Sequence, residues 1–206
     1  MTGSKEPIHL VASQKAPAAH MLARAFLVDP AYMALFPDSV ERERALQRLF
    51  GAVVGYSLVY GLVHTTPAVE GAACWLSPGN AKITLWRVLR TGLGLQRAVA
   101  QFNPRARREF LAALAYMDEI HEREAPGPHW YLWALGVEPG CQGQGIGGRL
   151  IQPVLAQADQ DGVPCYLETL TERNVAFYQK RGFKVVSDGV VSGQEVRIWT
   201  MLRKAH

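Results

Sequence analysis

One segment limits what this chain can become more than any other: Gln142-Gly143-Gln144-Gly145-Ile146-Gly147-Gly148. It comes after an unbroken apolar run, Trp130-Tyr131-Leu132-Trp133-Ala134-Leu135-Gly136-Val137, and precedes residues at helical spacing. A strand that passes through a glycine-rich turn into a helix makes an anion site. Glycine lets the backbone approach a ligand closely, and the free N–H groups and dipole of the helix start favour negative charge. The ligand expected here carries a phosphate or a pyrophosphate.

Three phosphate-binding patterns compete for the segment. A P-loop requires Gly-x-x-x-x-Gly-Lys-Ser/Thr, so that a lysine and a hydroxyl reach the outer phosphates and magnesium. Arg149 and Leu150 come after the glycines instead, which excludes it. A dinucleotide fingerprint fits by letter as Gly143-x-Gly145-x-x-Gly148, and Glu168 falls near the place of an acidic residue that grips a ribose. Against it, Glu138-Pro139-Gly140-Cys141-Gln142 separates strand from glycines, and the motif sits too late in the chain for a full doubly wound sheet. The third pattern, Gln-x-x-Gly-x-Gly, is filled by Gln142, Gly145 and Gly147.

Together with the segments downstream of it, this third pattern resembles the GNAT superfamily of acyl-CoA-dependent N-acetyltransferases. Leu167-Glu168-Thr169 ends an apolar strand. The segment Asn174-Val175-Ala176-Phe177-Tyr178-Gln179-Lys180-Arg181-Gly182-Phe183 is similar to the family's N-x-x-F-Y-x-x-x-G-F segment. The resemblance covers residues 129–186, an acyl-CoA-binding core within one expected N-acetyltransferase domain spanning 1–206. Leu135-Gly136-Val137-Glu138-Pro139 and Tyr166-Leu167-Glu168-Thr169 look most like the branch that contains puromycin N-acetyltransferase, which the N-terminal half matches loosely.

The resemblance implies an α/β GNAT fold: a mixed, mostly antiparallel sheet flanked by helices, its fourth and fifth strands splayed apart. It implies acetyl-CoA as co-substrate, with the pantetheine arm along Leu135, Gly136 and Val137 and the pyrophosphate on Gln142, Gly143, Gln144, Gly145, Ile146, Gly147 and Gly148. A splayed edge offers unpaired N–H and C=O groups and the loop a nest of donors, which suits such a ligand. Asn174, Phe177 and Tyr178 complete the implied cofactor-binding set, and Tyr178 matches the tyrosine assigned to protonate the departing thiolate. Each has a plainer role as well: a tight turn for the glycines, packing for Tyr178, helix capping for Asn174.

Acetyl transfer to an amine also needs a proton acceptor and preset donors for the developing oxyanion. An amide of the central strand near Leu135 to Val137 is the oxyanion candidate. Glu168 is the first choice of base. His121, which ends a helix beside Asp118 and Glu119, and His129, which opens the central strand, both titrate near neutrality and stay open, as does water.

Composition narrows the classes. Half the residues are apolar and a fifth charged, with a net charge of +4, ordinary for a globular protein. No compact Lys/Arg block or basic–aromatic strip points to nucleic acid. The cysteines Cys74, Cys141 and Cys165 lack metal or redox spacing, and Cys74 and Cys165 read as buried hydrophobes. With no leader-like N-terminus and no run long enough to span a membrane, the expected setting is the cytoplasm, with no membrane or metal partner. The expected oligomeric state is a monomer or a homodimer.

Along the rest of the chain, Ile8 to Val11 reads as a strand and Pro17 to Phe26 as a helix ending near Asp29-Pro30. Asp38-Ser39-Val40-Glu41 resembles a capping box ahead of the stripe Leu46, Leu49, Phe50, Val53 and Val54. Leu62–Thr65 and Ala72–Leu76 read as a hairpin. Lys82 to Tyr116 is helical but broken at Gly92, Gly94 and Pro104, with arginines forming a solvated face or a wall over a substrate. Glu122 to His129 reads as a connector. Leu150, Ile151, Val154, Leu155 and Ala158 form a helix stripe in which Pro153 predicts a kink, Pro164 to Thr169 is a strand, and Lys184–Val186 and Val196–Met201 close the fold as a hairpin.

The function expected from these features is transfer of an acetyl or other short acyl group to a primary amine, preferably of a small molecule. A protein N-terminus or lysine stays open as acceptor. A non-catalytic acyl-CoA-binding module is the alternative, and a dinucleotide-binding protein the next.

Overall fold

The computed structural model describes residues 6–190 and 197–205. Strand β1 (Ile8–His9) is shorter than expected and passes through a 3-10 turn into α1 (Lys15–Ala25). Pro17 occupies the third position of α1, still within the first turn, where amides have no intrahelical acceptor to lose. Asp29-Pro30 does more than end that helix. Asp29 accepts from the Ala31 amide at 3.0 Å and Pro30 takes the first position of a further helix, α2 (Pro30–Leu35), not expected from the sequence.

Asp38 caps α3 (Ser39–Tyr60) by accepting from the Glu41 amide at 2.7 Å. Glu41 itself does not return to the cap; its carboxylate takes the side-chain amide of Asn103 at 2.9 Å. The stripe Leu46, Leu49, Phe50, Val53 and Val54 is buried as its spacing requires. The hairpin comes next as β2 (Gly61–Thr65) and β3 (Gly71–Leu76), paired antiparallel.

The broken helical stretch resolves into α4 (Leu85–Arg90), α5 (Gly94–Ala100) and α6 (Pro104–Glu124). Gly92 at φ +77° and the Asn103 cap before Pro104 make the breaks. Helix α6 runs on through most of a turn of the expected connector, which carries His121 inside it. The arginines largely form the solvated face: Arg97, Arg105, Arg107 and Arg108 are exposed, and Arg87 donates to the Lys82 and Gly79 carbonyls at 2.8 and 2.9 Å.

The central strand β4 (Trp130–Val137) has the expected bounds, and after it come α7 (Ile146–Asp161), β5 (Cys165–Thr169), α8 (Glu172–Gln179), β6 (Lys184–Val190) and β7 (Arg197–Arg203). Pro153 is accommodated within α7. The last hairpin is longer than expected, and its Val196 lies outside the described residues. The seven strands form one sheet in the order β1-β2-β3-β4-β5-β7-β6. Among the described residues β4–β5 is the one parallel pair, so the sheet is not doubly wound and the dinucleotide reading falls with it.

Each face of the sheet carries its own core. Helices α7 and α8 cover one face, where Ile146, Leu150, Ile151 and Val154 pack on Trp130, Leu132 and Leu167. Helices α1 and α3 cover the other, with Ala18, Leu22, Phe50 and Val54 against Ala72, Cys74 and Ala134. Burial holds the Cys74 and Cys165 thiols up at about 12, as expected of small core hydrophobes. The β3–β4 register slips once: Cys74 faces Ala134 and Trp75 faces Leu132, so Trp133 has no partner across the ladder. No helix among the described residues is long and apolar enough to cross a membrane.

Candidate active site

Strands β4 and β5 run together only briefly. They pair at Trp130–Cys165, Tyr131–Tyr166 and Leu132–Leu167 and then part. Beyond that point Glu168 and Thr169 stay with β7 on one side, while Ala134 to Val137 stay with β3 on the other. The β5-facing edge of β4 is thereby left unpaired over its last residues, as a splayed edge requires.

The glycine loop closes the end of this opening. The Gln142 side-chain amide donates to the Val137 carbonyl at 3.2 Å, tying the loop to the strand. Gly143 and Gly145 both sit at φ +76°, a left-handed conformation in which a Cβ is strained, so glycine is needed there for backbone shape. Helix α7 starts on Gly145 without a side-chain cap and without an acidic residue in its first turn. Its first amides and its dipole are therefore unopposed by the helix's own residues. At Gly147 a Cβ would stand in ordinary contact, 3.5 Å from Phe177 Cζ and 3.6 Å from Val137 Cγ2. Loop, strand end and α8 thus meet at one point. Beside it the Arg181 guanidinium lies 3.6 Å from the centre of the Phe177 ring, donates to the Phe177 carbonyl at 2.6 Å, and covers Gly148 so closely that a Cβ would collide with it.

Gly136 serves a different end. A Cβ on it would come within 2.7 Å of Leu22 Cδ2 and 3.1 Å of Ala25 Cβ, so glycine lets α1 lie directly on β4.

Helix α8 is capped by Thr171, whose hydroxyl accepts from the Asn174 amide at 3.3 Å. Asn174 is therefore not the cap; it sits exposed in the first turn. One turn later Tyr178 is buried between the rings of Phe177 and Phe183, at 5.0 and 5.7 Å between centroids. Burial raises its phenol well above the ordinary value, so the group keeps its proton throughout the physiological range. Gly182 at φ +86° ends the segment, and the Phe183 amide returns to the Tyr178 carbonyl at 3.3 Å.

Glu168 points to the opposite face of the sheet, because side chains alternate along β5: Cys165 and Leu167 join the α7 core, Tyr166 and Glu168 do not. Its side chain is 8% exposed, and Oε1 is buried without a hydrogen bond. Desolvation raises the carboxyl to about 7, opposed by the nearby Tyr131 and Tyr166 hydroxyls and assisted by the negative charge of Asp118. His121 Nδ1 stands 3.7 Å from Glu168 Oε1, and His121 Nε2 meets His129 Nε2 at 2.7 Å. His121 lies flat on Tyr166, at 4.1 Å and 17°.

The three candidate bases, separate in the sequence, therefore form one cluster. Tyr131 and Tyr166 join it without having stood out in the sequence. A signal existed: His129-x-Tyr131 and Tyr166-x-Glu168 each place a polar group and an aromatic on one strand face, but the surrounding apolar run concealed the alternation.

Comparison with known proteins agrees with this geometry. A family model described as the acetyltransferase (GNAT) family matches residues 98–183. An N-acetyltransferase of Schizosaccharomyces pombe is 31% identical over 172 residues, covering 81% of this chain and 69% of that protein. Among solved structures, a histone acetyltransferase HPA2 and related acetyltransferase from Corynebacterium glutamicum superposes with a TM-score of 0.67 at 17% identity, over 98% of this chain and 96% of the other. Arylalkylamine N-acetyltransferase 2 from Aedes aegypti gives a TM-score of 0.64 at 11% identity, over 98% and 99%. At those identities the two structures speak for the fold alone.

Proposed function

Since the chain belongs to the GNAT family of acetyltransferases, we propose that it moves an acetyl group from acetyl-CoA to the primary amine of a small molecule by direct attack. The observation that carries this reading is the parting of β4 and β5 after Leu132 and Leu167, with an uncapped helix start at one end of the opening and a buried carboxyl beside it. The residues fit the cofactor: the free edge at Leu135, Gly136 and Val137 would hold the pantetheine amides, and the backbone from Gln142 to Gly148 the pyrophosphate. Acetyl-CoA supplies an activated thioester.

The protein supplies the rest. An ammonium of ordinary basicity is charged at neutral pH and cannot attack until a base takes its proton. Glu168, held at about 7, is half ionised there and can accept one. An amide of β4 near Leu135 to Val137 faces the charge that develops on the carbonyl oxygen. Tyr178, kept as a neutral phenol, holds a proton for the departing sulfur.

A small acceptor is supported by three observations. The loop and strand phrases resemble the puromycin N-acetyltransferase branch, and one protein of the same fold acts on arylalkylamines by its name. Tyr131 and Tyr166 beside Asp118 and Glu168 form an aromatic, acidic wall suited to a cation. The whole chain acts as one domain with residues 129–186 as its cofactor core, and three cysteines without metal or redox spacing fit a reducing, cytoplasmic setting.

An amine panel tests the proposal: arylalkylamines, polyamines, amino acids and peptides with free N-termini or lysines, read by release of free CoA thiol. Release with small amines is the expected result. Release with peptides alone would overturn the acceptor class. Tight acetyl-CoA binding with no release for any amine would instead make the chain a binding module.

A further inference from the structure

The ring of His129 lies with Nδ1 2.7 Å from the Gly127 carbonyl oxygen. A carbonyl has no proton to give, so Nδ1 carries one and donates. In the neutral ring Nε2 is then bare. His121 Nε2 stands 2.7 Å from it, so the proton between them belongs to His121. That leaves His121 Nδ1 bare, 3.7 Å from Glu168 Oε1, itself buried and without a donor. Two lone pairs face each other at 3.7 Å, so that one added proton, with a shift of under about 1 Å, would join them in a hydrogen bond. Both rings are held: His121 is stacked on Tyr166 at 4.1 Å and meets Tyr131 edge-on at 4.7 Å, and His129 is tied to the Gly127 carbonyl.

We propose that His129 and His121 are positioning residues of the proton acceptor: His129 locks His121 with its proton on Nε2, so that the bare Nδ1 faces Glu168 and the proton taken from the acceptor ammonium settles between them. This rests on the amine-acetylation reading above and deepens it. The step balances. One N–H bond of the ammonium breaks, one bond to hydrogen forms at Glu168 Oε1 or His121 Nδ1, and the proton later leaves to solvent. Both histidines end in the tautomers in which they began.

The surrounding groups favour one added proton. Asp118 faces Glu168 from α6 and raises it, and Glu122, paired with Lys82 at 2.5 Å, faces His121 and raises it. Tyr131 and Tyr166 face the carboxyl from β4 and β5, and Glu124 and Thr200 also act on Tyr166. Burial and His129 lower His121 to about 4, and burial lowers His129. The two rings are therefore neutral where Glu168 titrates.

Long-range proton–nitrogen NMR on histidine-labelled protein reads this directly and needs no acceptor amine. The expected result is His129 as the Nδ1–H tautomer and His121 as the Nε2–H tautomer, with a His121 Nδ1 inflection at about 7 that disappears in Glu168→Gln. A His121 that carries its proton on Nδ1, or an inflection that survives Glu168→Gln, would overturn the proposal. His129→Phe should give mixed His121 tautomers, and His129→Gln, which keeps an acceptor, should restore one; if neither variant folds, the wild-type spectrum still decides. In the enzyme, His129→Phe should move the acid limb of kcat/KM while the KM for acetyl-CoA holds, and an unmoved limb would count against the positioning role. A chain with these tautomers that acetylates no amine would refute the transfer reading and leave the lock standing.

Discussion

Glu168→Gln should make the protein more stable and less active at the same time. Burial raises the Glu168 carboxyl from 4.5 to about 7, so the folded chain holds that proton more tightly than the unfolded chain does. The stability this contributes is complete below 4.5, shrinks as pH rises, and is lost above about 7, where a charge must be kept in the core. At 1.36 kcal/mol per pH unit the span amounts to about 3 kcal/mol. Glutamine has the shape of the protonated acid and does not titrate. The difference in unfolding free energy between variant and wild type should therefore be near zero at pH 4.5, grow to about 3 kcal/mol in favour of the variant by pH 8, and level off beyond. Urea unfolding of both proteins across that range measures it, and acid effects common to the two cancel in the difference. Activity at pH 8 should fall by about 10²–10⁴, the usual worth of a proton acceptor. Equal urea midpoints at pH 8, or a difference that does not shrink toward pH 4.5, would refute the reasoning from burial.

Further predictions concern the other groups. Tyr178→Phe should lower kcat by about tenfold or more, with acetyl-CoA affinity by calorimetry little changed; a matching loss of affinity would point to packing instead. Gly136→Ala should cost about 1–3 kcal/mol in thermal unfolding, because its methyl meets Leu22 and Ala25 on the rigid face of α1. Buried His64, lowered to about 4, contributes stability that is complete above 6.5 and lost as pH falls through about 4. His64→Asn should therefore flatten the acid side of the melting-temperature profile, and an unchanged slope would show that His64 is already charged there.

The strand, glycine loop and helix from Trp130 to Asp161 were legible in the sequence because their causes are local. A left-handed turn needs glycine where it occurs, and an apolar stripe shows helical spacing in its own residues. The Asp29-Pro30 pair misled for an equally local reason. The same two letters that stop one helix also cap and begin another, and only the next turn distinguishes the cases. The end of α6 was lost because its last turns, His-Glu-Arg-Glu, carry no apolar stripe, although Ile120 and His121 are buried. The Glu168 cluster could not have been assembled at all from spacing. It depends on the end of α6 setting His121 against Tyr131 and Tyr166, and His121 and Glu168 lie more than forty residues apart in the chain.

The unpartnered Trp133 has a consequence for how this protein can vary. Upstream of it the even-numbered residues Trp130 and Leu132 look toward α7; downstream the odd-numbered Leu135 and Val137 do. One supernumerary residue thus inverts the phase of the strand midway. Ironing the bulge out with Trp133 kept in the ladder would turn Gly136 toward α7 and thrust a leucine or valine side chain into α1, where even a methyl group does not fit. Deleting residue 133 would leave Leu135 and Val137 toward α7 and Gly136 toward α1, so this strand should tolerate loss of that residue far better than insertion of a second one beside it.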